Sequence, residues 1–465
     1  MLYTNVEIVR QIENLLGGDK VVYDEESLVR YGQDETEDFV FKPQVVVKPE
    51  TVEDVSKLLQ WCNANQVVIT ARGAGTGLSG ASLPIHGGVC LSLERFTRIL
   101  AIDEDNMQVT VESGVINEVL RNAVEAKGLF YPPDPASKGS CFIGGNVAHN
   151  SGGPKAVKYG VTKDYVLNLE VVLPNGEVIW TGADTVKNST GYSLTQLMVG
   201  SEGTLGVITK VVLKLVAKPQ HDLLMWANVD LATDACKAVS EIMRSGVVPS
   251  GMELMEKKGI DLACEALQLS NPLTPSSNAA LLIEVDGNDL ESLYAECESI
   301  NGVLESHGIT DVLFADSSSQ KEAWWQIRRS IGEVVKHHSV YKEEDTVVKR
   351  SHLAELMYGV KEIGSRYGFE SVCYGHAGDG NLHVNILKDS LTDEQWNGAH
   401  LEEGIREIFR LCKRLGGTIS GEHGIGYVQK RYMNEVFSKT HLNLMRSIKK
   451  AFDPNNILNP GKIFD

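Results

Sequence analysis

The chain has 465 residues, which is too long for one ordinary hydrophobic core, so we expect two or three domains. Its formal net charge of −18 argues against a surface that binds nucleic acid or an anionic membrane. No stretch is apolar for long enough to span a membrane, and the N-terminus lacks the features of a signal peptide. The eight cysteines form no CxxC pair, so neither an iron–sulfur cluster nor a disulfide framework is expected, and a reducing cytoplasm is predicted.

The first part of the chain alternates between helix, strand and loop patterns. Residues 49–66 predict an amphipathic helix, which is followed by the short strand "VVIT", a glycine-rich loop and the strand "VCLSL". Further strands are predicted in "MQVTVESG", "VLNLEVVLPNGEVIWTG" and "GTLGVITKVVLKLVAKP". The Pro-Asn-Gly of the second stretch predicts a hairpin turn. We therefore expect a β-rich first domain over residues 1–219.

From about residue 220 the pattern changes. Apolar strands such as "LLMWANV" and "AALLIEVDG" alternate with amphipathic helix patterns, and glycine becomes sparser. This predicts a second domain, over residues 220–410, built from an antiparallel sheet with helices on one side. A helical segment is expected over residues 411–465. The fold class predicted for the whole chain is α+β.

The loop after "VVIT" contains "GTGLSG", a literal match to the G-x-G-x-x-G pattern. A dinucleotide fingerprint needs a helix directly after the glycines, and "ASLPIHGGVCLSL" does not begin one, so this is not a Rossmann site. Glycines with small hydroxyl residues instead favour a backbone cradle for a phosphate, because side chains do not block the N–H groups. Residues 144–146 and 201–204 add two similar loops. Together they indicate one extended ligand with phosphates and an aromatic ring, unless all three are simply tight turns.

A second candidate site lies in "GHAGDGNLHVN", residues 375–385. The segment Gly378–Asn381 is a poor helix and a good turn, so we expect a β-hairpin. Strand alternation places His383 and Asn385 on one face, while Tyr374 and His376 share a face of the preceding strand. A suitable register would then bring the two imidazoles together as part of a metal site. The alternative is that both histidines are hydrogen-bonded residues near a turn.

Three further residues could complete this site. Glu422, in "SGEHGIG", is a candidate third metal ligand, because two imidazoles and a carboxylate suit a divalent transition metal. His423 is a candidate general base, unless it is a surface histidine between glycines. In "WWQIRRSIGE", Arg328 and Arg329 point in different directions on a helix, so we expect only one of them to enter a site for an anionic substrate.

The motifs together resemble a known family. The pattern "PQVVVKPETVEDV…RGAGTGLSGA…PPDP…IGGNVAHNSGGPKAVKYGVT…GSEGTLGVIT…NPGK" is similar to FAD-linked oxidases of the vanillyl-alcohol-oxidase superfamily, and within it to the D-2-hydroxyacid dehydrogenases. The resemblance implies a two-subdomain FAD-binding domain, an antiparallel-sheet cap domain and a C-terminal segment that returns to the FAD site. It covers nearly the whole chain, from about residue 40 to the end.

The resemblance also implies which residues bind the cofactor. The FAD pyrophosphate would be wrapped by Arg72, Gly73, Ala74, Gly75, Thr76, Gly77 and Ser79. The rest of FAD would be lined by Pro133, Asp134, Gly144, Gly145, Asn146, Ser151, Ile208 and Asn459. Some relatives link FAD covalently through a histidine of the first glycine loop. The stretch "RGAGTGLSG" has none, so a non-covalent FAD is implied.

For the second site, the resemblance implies that His376, His383 and Glu422 hold one divalent metal, which could be zinc, iron or manganese. His423 would be the base, Arg328 would bind the substrate carboxylate, and Asn385 would orient substrate or base. Hydroxyglutarate enzymes of the family carry a lysine near the position of Lys342, so the resemblance offers Lys342 as a second cation at the site. They carry a threonine where this chain has Gly332, and this difference favours a short substrate.

The activity implied is oxidation of a small D-2-hydroxy acid, D-lactate or glycolate by preference, to the 2-oxo acid. Electrons would pass to a separate acceptor, such as an electron-transferring flavoprotein or an iron–sulfur subunit, and a homodimer is left open. Three alternatives remain at this point. They are a D-2-hydroxyglutarate dehydrogenase, a flavin-free metal-dependent hydrolase, and a flavin-binding scaffold subunit with a vestigial site.

Overall fold

The computed structural model describes residues 5–36, 39–389 and 391–464. In chain order its strands are β1 Val21–Val22, β2 Val45–Val47, β3 Ile69–Arg72, β4 Val89–Ser92, β5 Ile99–Asp103, β6 Gln108–Glu112, β7 Leu129–Phe130, β8 Val166–Val172, β9 Val178–Trp180, β10 Val207–Lys214, β11 Val216–Ala217, β12 His221–Val229, β13 Gly251–Glu256, β14 Ala279–Gly287, β15 Asp311–Phe314, β16 Tyr341–Val347, β17 Glu370–His376 and β18 Asn381–Leu387. Its helices are α1 Asn5–Leu16, α2 Glu25–Tyr31, α3 Val52–Asn65, α4 Asn117–Glu125, α5 Ile143–His149, α6 Ala156–Tyr159, α7 Leu194–Met198, α8 Ala232–Arg244, α9 Lys257–Leu267, α10 Leu290–Ser306, α11 Ser318–His338, α12 Leu353–Tyr367, α13 Asp393–Trp396, α14 Ala399–Arg414, α15 Met433–Val436 and α16 Lys439–Phe452.

The chain folds into two compact units. The first takes in the described parts of residues 1–152, 161–218 and 422–465, and the second takes in those of 153–160 and 219–421. Within the described ranges, none of the helices has the length and apolar character needed to cross a membrane.

The first unit contains two larger sheets. In the four-stranded sheet, of order β1-β2-β4-β3, the strands β2, β4 and β3 run parallel, and α3 begins with a capping box formed by Thr51 and Asp54. The buried face of α3 packs into an apolar core with these strands. The five-stranded sheet, of order β5-β6-β10-β8-β9, is antiparallel, and β8 pairs with β9 around the predicted Pro-Asn-Gly turn. The next element after β3 is β4, so no helix follows the glycine-rich loop, as predicted.

The second unit is built on one seven-stranded antiparallel sheet, of order β15-β12-β14-β13-β17-β18-β16. One face carries Trp226 and Tyr374, which form an apolar core with α9 and α11. The antiparallel sheet of this unit, and the one mixed and one antiparallel larger sheet of the first, confirm the predicted α+β class.

The prediction that helices cover only one side of this sheet is wrong. Lys361 of α12 donates to Glu256 of β13 and to Ser371 of β17, and these two residues lie on the face opposite to Tyr374. Helices therefore cover both faces. The physical reason is visible in β14, where every residue from Ala279 to Asp286 is buried. A strand that is apolar on both faces needs helices on both sides of the sheet to cover it.

Candidate active site

The segment 375–385 forms the predicted hairpin. β17 and β18 are joined by a single 3₁₀ turn at Ala377–Asp379, and Gly380 follows with a φ of 74°. Tyr374 pairs directly with His383, which puts His376 on the same face of the sheet. The imidazole centroids of His376 and His383 lie 5.5 Å apart, and each ring has a nitrogen within 4.8 Å of the other's. The tertiary structure thus confirms that the two histidines converge.

A buried glutamate on the neighbouring strand contacts one of these histidines. Glu253 of β13 pairs directly with His376, and its side chain is completely buried. The two carboxylate oxygens lie 2.8 and 2.9 Å from Nδ1 of His376. Burial by itself would raise the pKa of the Glu253 carboxyl, but His376 and Arg328 outweigh this and hold the pKa below its usual value. No sequence motif marks Glu253, because "GMELME" is a plain strand pattern.

Arg328 reaches the same carboxylate from α11. Its Nη2 lies 2.6 Å from Oε2 of Glu253, and its guanidinium carbon lies 5.1 Å from the centroid of the Tyr374 ring. The Nε of Arg328 makes no hydrogen bond to any described residue, although the side chain is buried. The guanidinium carbon of the neighbouring Arg329 lies 5.1 Å from the centroid of the Trp325 ring. Arg328 is thus the arginine that forms an ion pair with Glu253, the residue that contacts His376.

Further polar groups surround His383 on this face. Its Nδ1 lies 3.7 Å from a carboxylate oxygen of Glu343 and 3.8 Å from one of Asp345. Asn385 is completely buried beside the Tyr374 hydroxyl, and neither atom of its amide makes a hydrogen bond within the described residues. Burial raises the pKa of Tyr374 far above its usual value, so the phenol stays protonated. A buried amide without a protein partner is suited to a ligand.

Two features of this face concern the length of a substrate. Lys342 pairs with Ile386 and lies on the opposite face, where its Nζ is 4.4 Å from the centroid of the Trp396 ring. Its neighbour Glu343 occupies the histidine face instead. A Cβ added to Gly332 would lie 2.8 Å from the hydroxyl oxygen of Tyr374, so a threonine at this position would displace the tyrosine. The structure therefore does not place Lys342 with the other candidates.

The chain that leads to Glu422 is fixed to β16. Ser420 donates to the Asp345 carboxylate at 2.7 Å, and the Gly421 N–H donates to the Asp345 carbonyl at 3.2 Å. Asp345 pairs directly with His383. The residue that precedes Glu422 is therefore held on the strand next to His383, within the second unit.

The first unit contains a cavity at its glycine-rich loops. Five predicted cofactor residues line it, namely Arg72, Gly73, Gly144, Gly145 and Ile208. Gly75, in the loop itself, has a φ of +78°, and a Cβ there would meet the Arg72 guanidinium at 2.0 Å, so this position requires glycine. The buried hydroxyl oxygens of Ser79 and Ser113 make no hydrogen bond within the described residues. Glycine-lined walls with unused buried hydroxyls fit a phosphate-bearing cofactor such as FAD.

Other predicted cofactor residues have protein partners. Asp134 forms ion pairs with Arg121 at 3.3 Å and with Lys138 at 3.7 Å. The carbonyl of Pro133 accepts a hydrogen bond from Asn117. Asn459 donates to the carbonyls of Ala81 and Glu202, which fastens the C-terminal tail to two of the cavity loops. The remaining residues are Ala74, Thr76 and Gly77 in the first loop, Asn146 in α5 and Ser151 just after it.

The segment that carries His423 is positioned by two residues of the cavity, His149 and Glu202. Neither was among the predicted site residues. Nδ1 of His149 lies 3.0 Å from the carbonyl oxygen of His423. The Glu202 carboxylate accepts from the N–H groups of Ile425 and Gly426 at 2.8 and 2.7 Å. Glu202 has a φ of 51°, which is uncommon for a residue other than glycine. Both residues also line the cavity, so the segment with the candidate base is anchored at its wall.

The cavity allows a direct test of cofactor binding with a single methyl group. A Cβ on Gly145 would meet no protein atom within 4 Å, and Gly145 lines the cavity. We expect Gly145→Ala to leave the melting temperature of the flavin-free protein unchanged but to weaken FAD binding about 10-fold or more, because overpacking costs about 1–3 kcal/mol. Titration of the flavin-free protein with FAD, followed by fluorescence, measures the change.

The neighbouring glycine is the matched control. A Cβ on Gly144 would lie 2.5 Å from Cβ of Ser113 and 2.9 Å from its carbonyl oxygen. Gly144→Ala should therefore lower the melting temperature of the flavin-free protein itself. Unchanged FAD affinity in Gly145→Ala would contradict the assignment of this cavity to FAD.

Comparison with known proteins adds independent information on the same regions. Residues 43–182 match the family described as "FAD binding domain", and residues 218–463 match the family "FAD linked oxidases, C-terminal domain". The chain is 38% identical over 438 residues to the glycolate oxidase subunit GlcD of Bacillus subtilis (strain 168), covering 93% of this chain and 92% of that one. It is 37% identical to a D-lactate dehydrogenase of Anaerostipes hadrus, over 91% of this chain and 90% of that one.

A third relative and one solved structure complete the comparison. A D-2-hydroxyglutarate dehydrogenase of Stutzerimonas stutzeri (strain A1501) is 31% identical over 99% of both chains. The crystal structure of p-cresol methylhydroxylase with substrate bound superimposes with a TM-score of 0.80, over 99% of this chain and 97% of that one, at 19% identity. At that identity the superposition establishes a shared fold and nothing more.

Proposed function

Because the chain belongs to the FAD-linked oxidase family and carries its FAD-binding domain, we propose that it oxidises a short D-2-hydroxy acid to the 2-oxo acid. D-lactate and glycolate are the preferred substrates. The observation that carries the proposal is the buried polar face of the second unit, where Arg328, His376 and His383 converge. Relatives named for glycolate, D-lactate and D-2-hydroxyglutarate support the substrate class.

In this proposal each residue has one role. Arg328 binds the substrate carboxylate, and Asn385, whose buried amide has no hydrogen bond within the described residues, orients the substrate. His423 takes the hydroxyl proton as the general base. When bound, FAD would accept the hydride that leaves the substrate Cα. The products are the 2-oxo acid, a proton on His423 and a two-electron-reduced flavin.

We also propose that His376, His383 and Glu422 hold one divalent metal, which would be zinc, iron or manganese. The donor set of two imidazoles and a carboxylate fits such an ion, and the Glu253 carboxylate at Nδ1 would orient His376 so that Nε2 is the ligand atom. When bound, the metal supplies Lewis-acid polarisation of the substrate hydroxyl. The burial of two imidazoles with ring nitrogens within 4.8 Å of each other supports this metal site over the alternative in which the histidines are merely hydrogen-bonded near a turn.

A short substrate is favoured over hydroxyglutarate by the residues around Tyr374. Lys342 lies on the face opposite to the histidines, and Glu343 places a carboxylate on the histidine face instead. A second carboxylate on the substrate would be repelled by this anion rather than paired with a cation. The hydroxyl of Tyr374 also occupies the space that a side chain at position 332 would need.

The electron acceptor is proposed to be a separate protein, either an electron-transferring flavoprotein or an iron–sulfur subunit. The eight cysteines are unpaired and buried, and none of them belongs to a candidate metal-binding group among the described residues. Affinity purification from native cells should recover such a partner. Recovery of the chain with neither type of partner would count against this part of the proposal.

The deciding experiment is anaerobic reduction of the purified yellow protein by a panel of hydroxy acids. D-lactate and glycolate should bleach the flavin absorbance, D-2-hydroxyglutarate should do so more slowly, and L-lactate should leave it unchanged. A colourless protein would contradict the proposal and favour a metal-dependent hydrolase without flavin. A yellow protein that no hydroxy acid bleaches would favour a scaffold subunit.

A further inference from the structure

The buried carboxylate of Glu253 contacts two residues of the proposed substrate site, His376 and Arg328. Glu253 is on β13, its side chain is completely buried, and its oxygens lie 2.8 and 2.9 Å from Nδ1 of His376. One of the same oxygens lies 2.6 Å from Nη2 of Arg328. None of the family motifs in the sequence contains this residue. Its partners are the residue proposed as a metal ligand and the residue proposed to bind the substrate carboxylate.

We propose that Glu253 is a positioning residue that fixes His376 for metal binding and Arg328 for substrate binding at the same time. The inference rests on the proposed function, because it requires His376 to be a metal ligand. The residue does not itself contact the reacting atoms.

The Glu253 carboxylate determines the tautomer of His376. An ionised carboxylate can only accept hydrogen bonds, so Nδ1 of His376 carries the hydrogen, and in the neutral imidazole Nε2 then carries the lone pair. A carboxylate behind a metal-ligating imidazole fixes the orientation of the ring and increases the basicity of the ligand nitrogen. The direct cross-strand pairing of Glu253 with His376 holds this geometry through the backbone of the sheet.

The Glu253 carboxylate also balances positive charge on this face. Arg328 is buried, and a metal would add further positive charge on the same face. The Glu253 carboxylate offsets this charge, which allows the guanidinium to stay in the interior. Because the contact uses Nη2, the Nε of Arg328, which makes no hydrogen bond within the described residues, remains available to a ligand. Loss of the carboxylate should therefore disturb both partners.

The second unit provides a matched control for this residue. Glu284, on β14, is also buried on the same face, since it pairs with Gly251 two residues before Glu253. Its carboxylate accepts from Ser250 at 2.9 Å and from Trp325 at 2.8 Å, and it forms an ion pair with Lys155. None of these partners is proposed to hold metal or substrate. Glu284→Gln therefore removes a buried charge without touching the site.

The test measures metal binding in the flavin-loaded protein, with Co²⁺ as the probe. The metal is removed with a chelator, and Co²⁺ is titrated back in competition with a chromogenic chelator while its visible spectrum is recorded. Glu253→Gln should weaken Co²⁺ binding about 10- to 100-fold and change the spectrum. It should also raise KM for D-lactate. Glu284→Gln should keep the Co²⁺ affinity and spectrum of the wild type.

A second pair of variants covers the case in which a lone buried guanidinium prevents folding. Arg328→Met alone should bind Co²⁺ within about threefold of the wild type, because it leaves the carboxylate on His376. Glu253→Gln with Arg328→Met removes both charges and should still bind Co²⁺ about 10-fold or more weakly than Arg328→Met alone.

The outcomes separate this inference from the proposed function. Co²⁺ binding by Glu253→Gln equal to that of the wild type would overturn the inference and leave the metal site standing. An equal loss of Co²⁺ affinity in Glu284→Gln would also overturn the inference, because the loss would then follow from removing any buried charge in this unit. A wild-type protein that binds no Co²⁺ would overturn the metal site and this inference together.

Discussion

Replacing His376 by alanine should remove the bound metal and abolish bleaching of the flavin by D-lactate, while FAD stays bound. His376 belongs to the second unit, whereas the match to the FAD-binding domain covers residues 43–182. Lewis-acid assistance by a metal contributes several kcal/mol to a reaction of this type, so the rate of flavin reduction should fall by about a thousandfold or more. Metal analysis and anaerobic stopped-flow absorbance measure the two effects.

The control for this variant is a histidine outside the site. His337 is exposed on α11, so His337→Ala should retain metal, flavin and bleaching. Treating the wild-type protein with a chelator should reproduce the effect of His376→Ala, and the metal that restores bleaching identifies the native ion. Undiminished bleaching after complete metal removal would show that His376 and His383 have another role.

Replacing Arg328 by lysine should raise KM for D-lactate about 10- to 100-fold and lower kcat less. A lysine keeps the positive charge, but it lacks the planar fork that binds a carboxylate through two N–H groups. A hydrogen bond to a charged group contributes about 1.5–3 kcal/mol, which sets the expected size of the change. Steady-state kinetics with an artificial electron acceptor, over a range of D-lactate concentrations, separates KM from kcat.

Arg329, the next residue on α11, provides the control for Arg328→Lys. The guanidinium carbon of Arg329 lies 5.1 Å from the centroid of the Trp325 ring, and the residue is partly exposed. Arg329→Lys should therefore change KM by no more than about twofold, because a partly exposed charge has little effect on a buried site. Equal increases in KM for the two variants would argue that the arginines act through helix stability or general charge rather than through substrate binding.

Local patterns in the sequence predicted a large part of the architecture. The alternation of Leu382, Val384 and Ile386 with His383 and Asn385 predicted a strand with one polar face, and the glycines before it predicted the turn. The absence of a helix start after "GTGLSG" correctly excluded a Rossmann site. These predictions succeeded because a period of two and a glycine turn are properties of a few consecutive residues.

Predictions that depended on distant packing were less successful. Helices were expected on one side of the second sheet, whereas the apolar residues on both faces of β14 recruit helices to both sides. Lys342 was considered as a second cation near the substrate, but its pairing with Ile386 places it on the other face. For Lys342, one residue along the strand changes the face, and only the register with a neighbouring strand determines which face is which.

The sequence by itself determined the family, the glycine-rich loops, the histidine hairpin and the list of candidate ligands. The tertiary structure alone decided that Arg328 forms an ion pair with Glu253, and that Glu253 also contacts His376. Glu253 and His376 are 123 residues apart in the chain, and their contact follows from the pairing of β13 with β17. Such a contact carries no local signal, because a buried glutamate in a strand has the same sequence pattern whether it faces a metal ligand or a lysine.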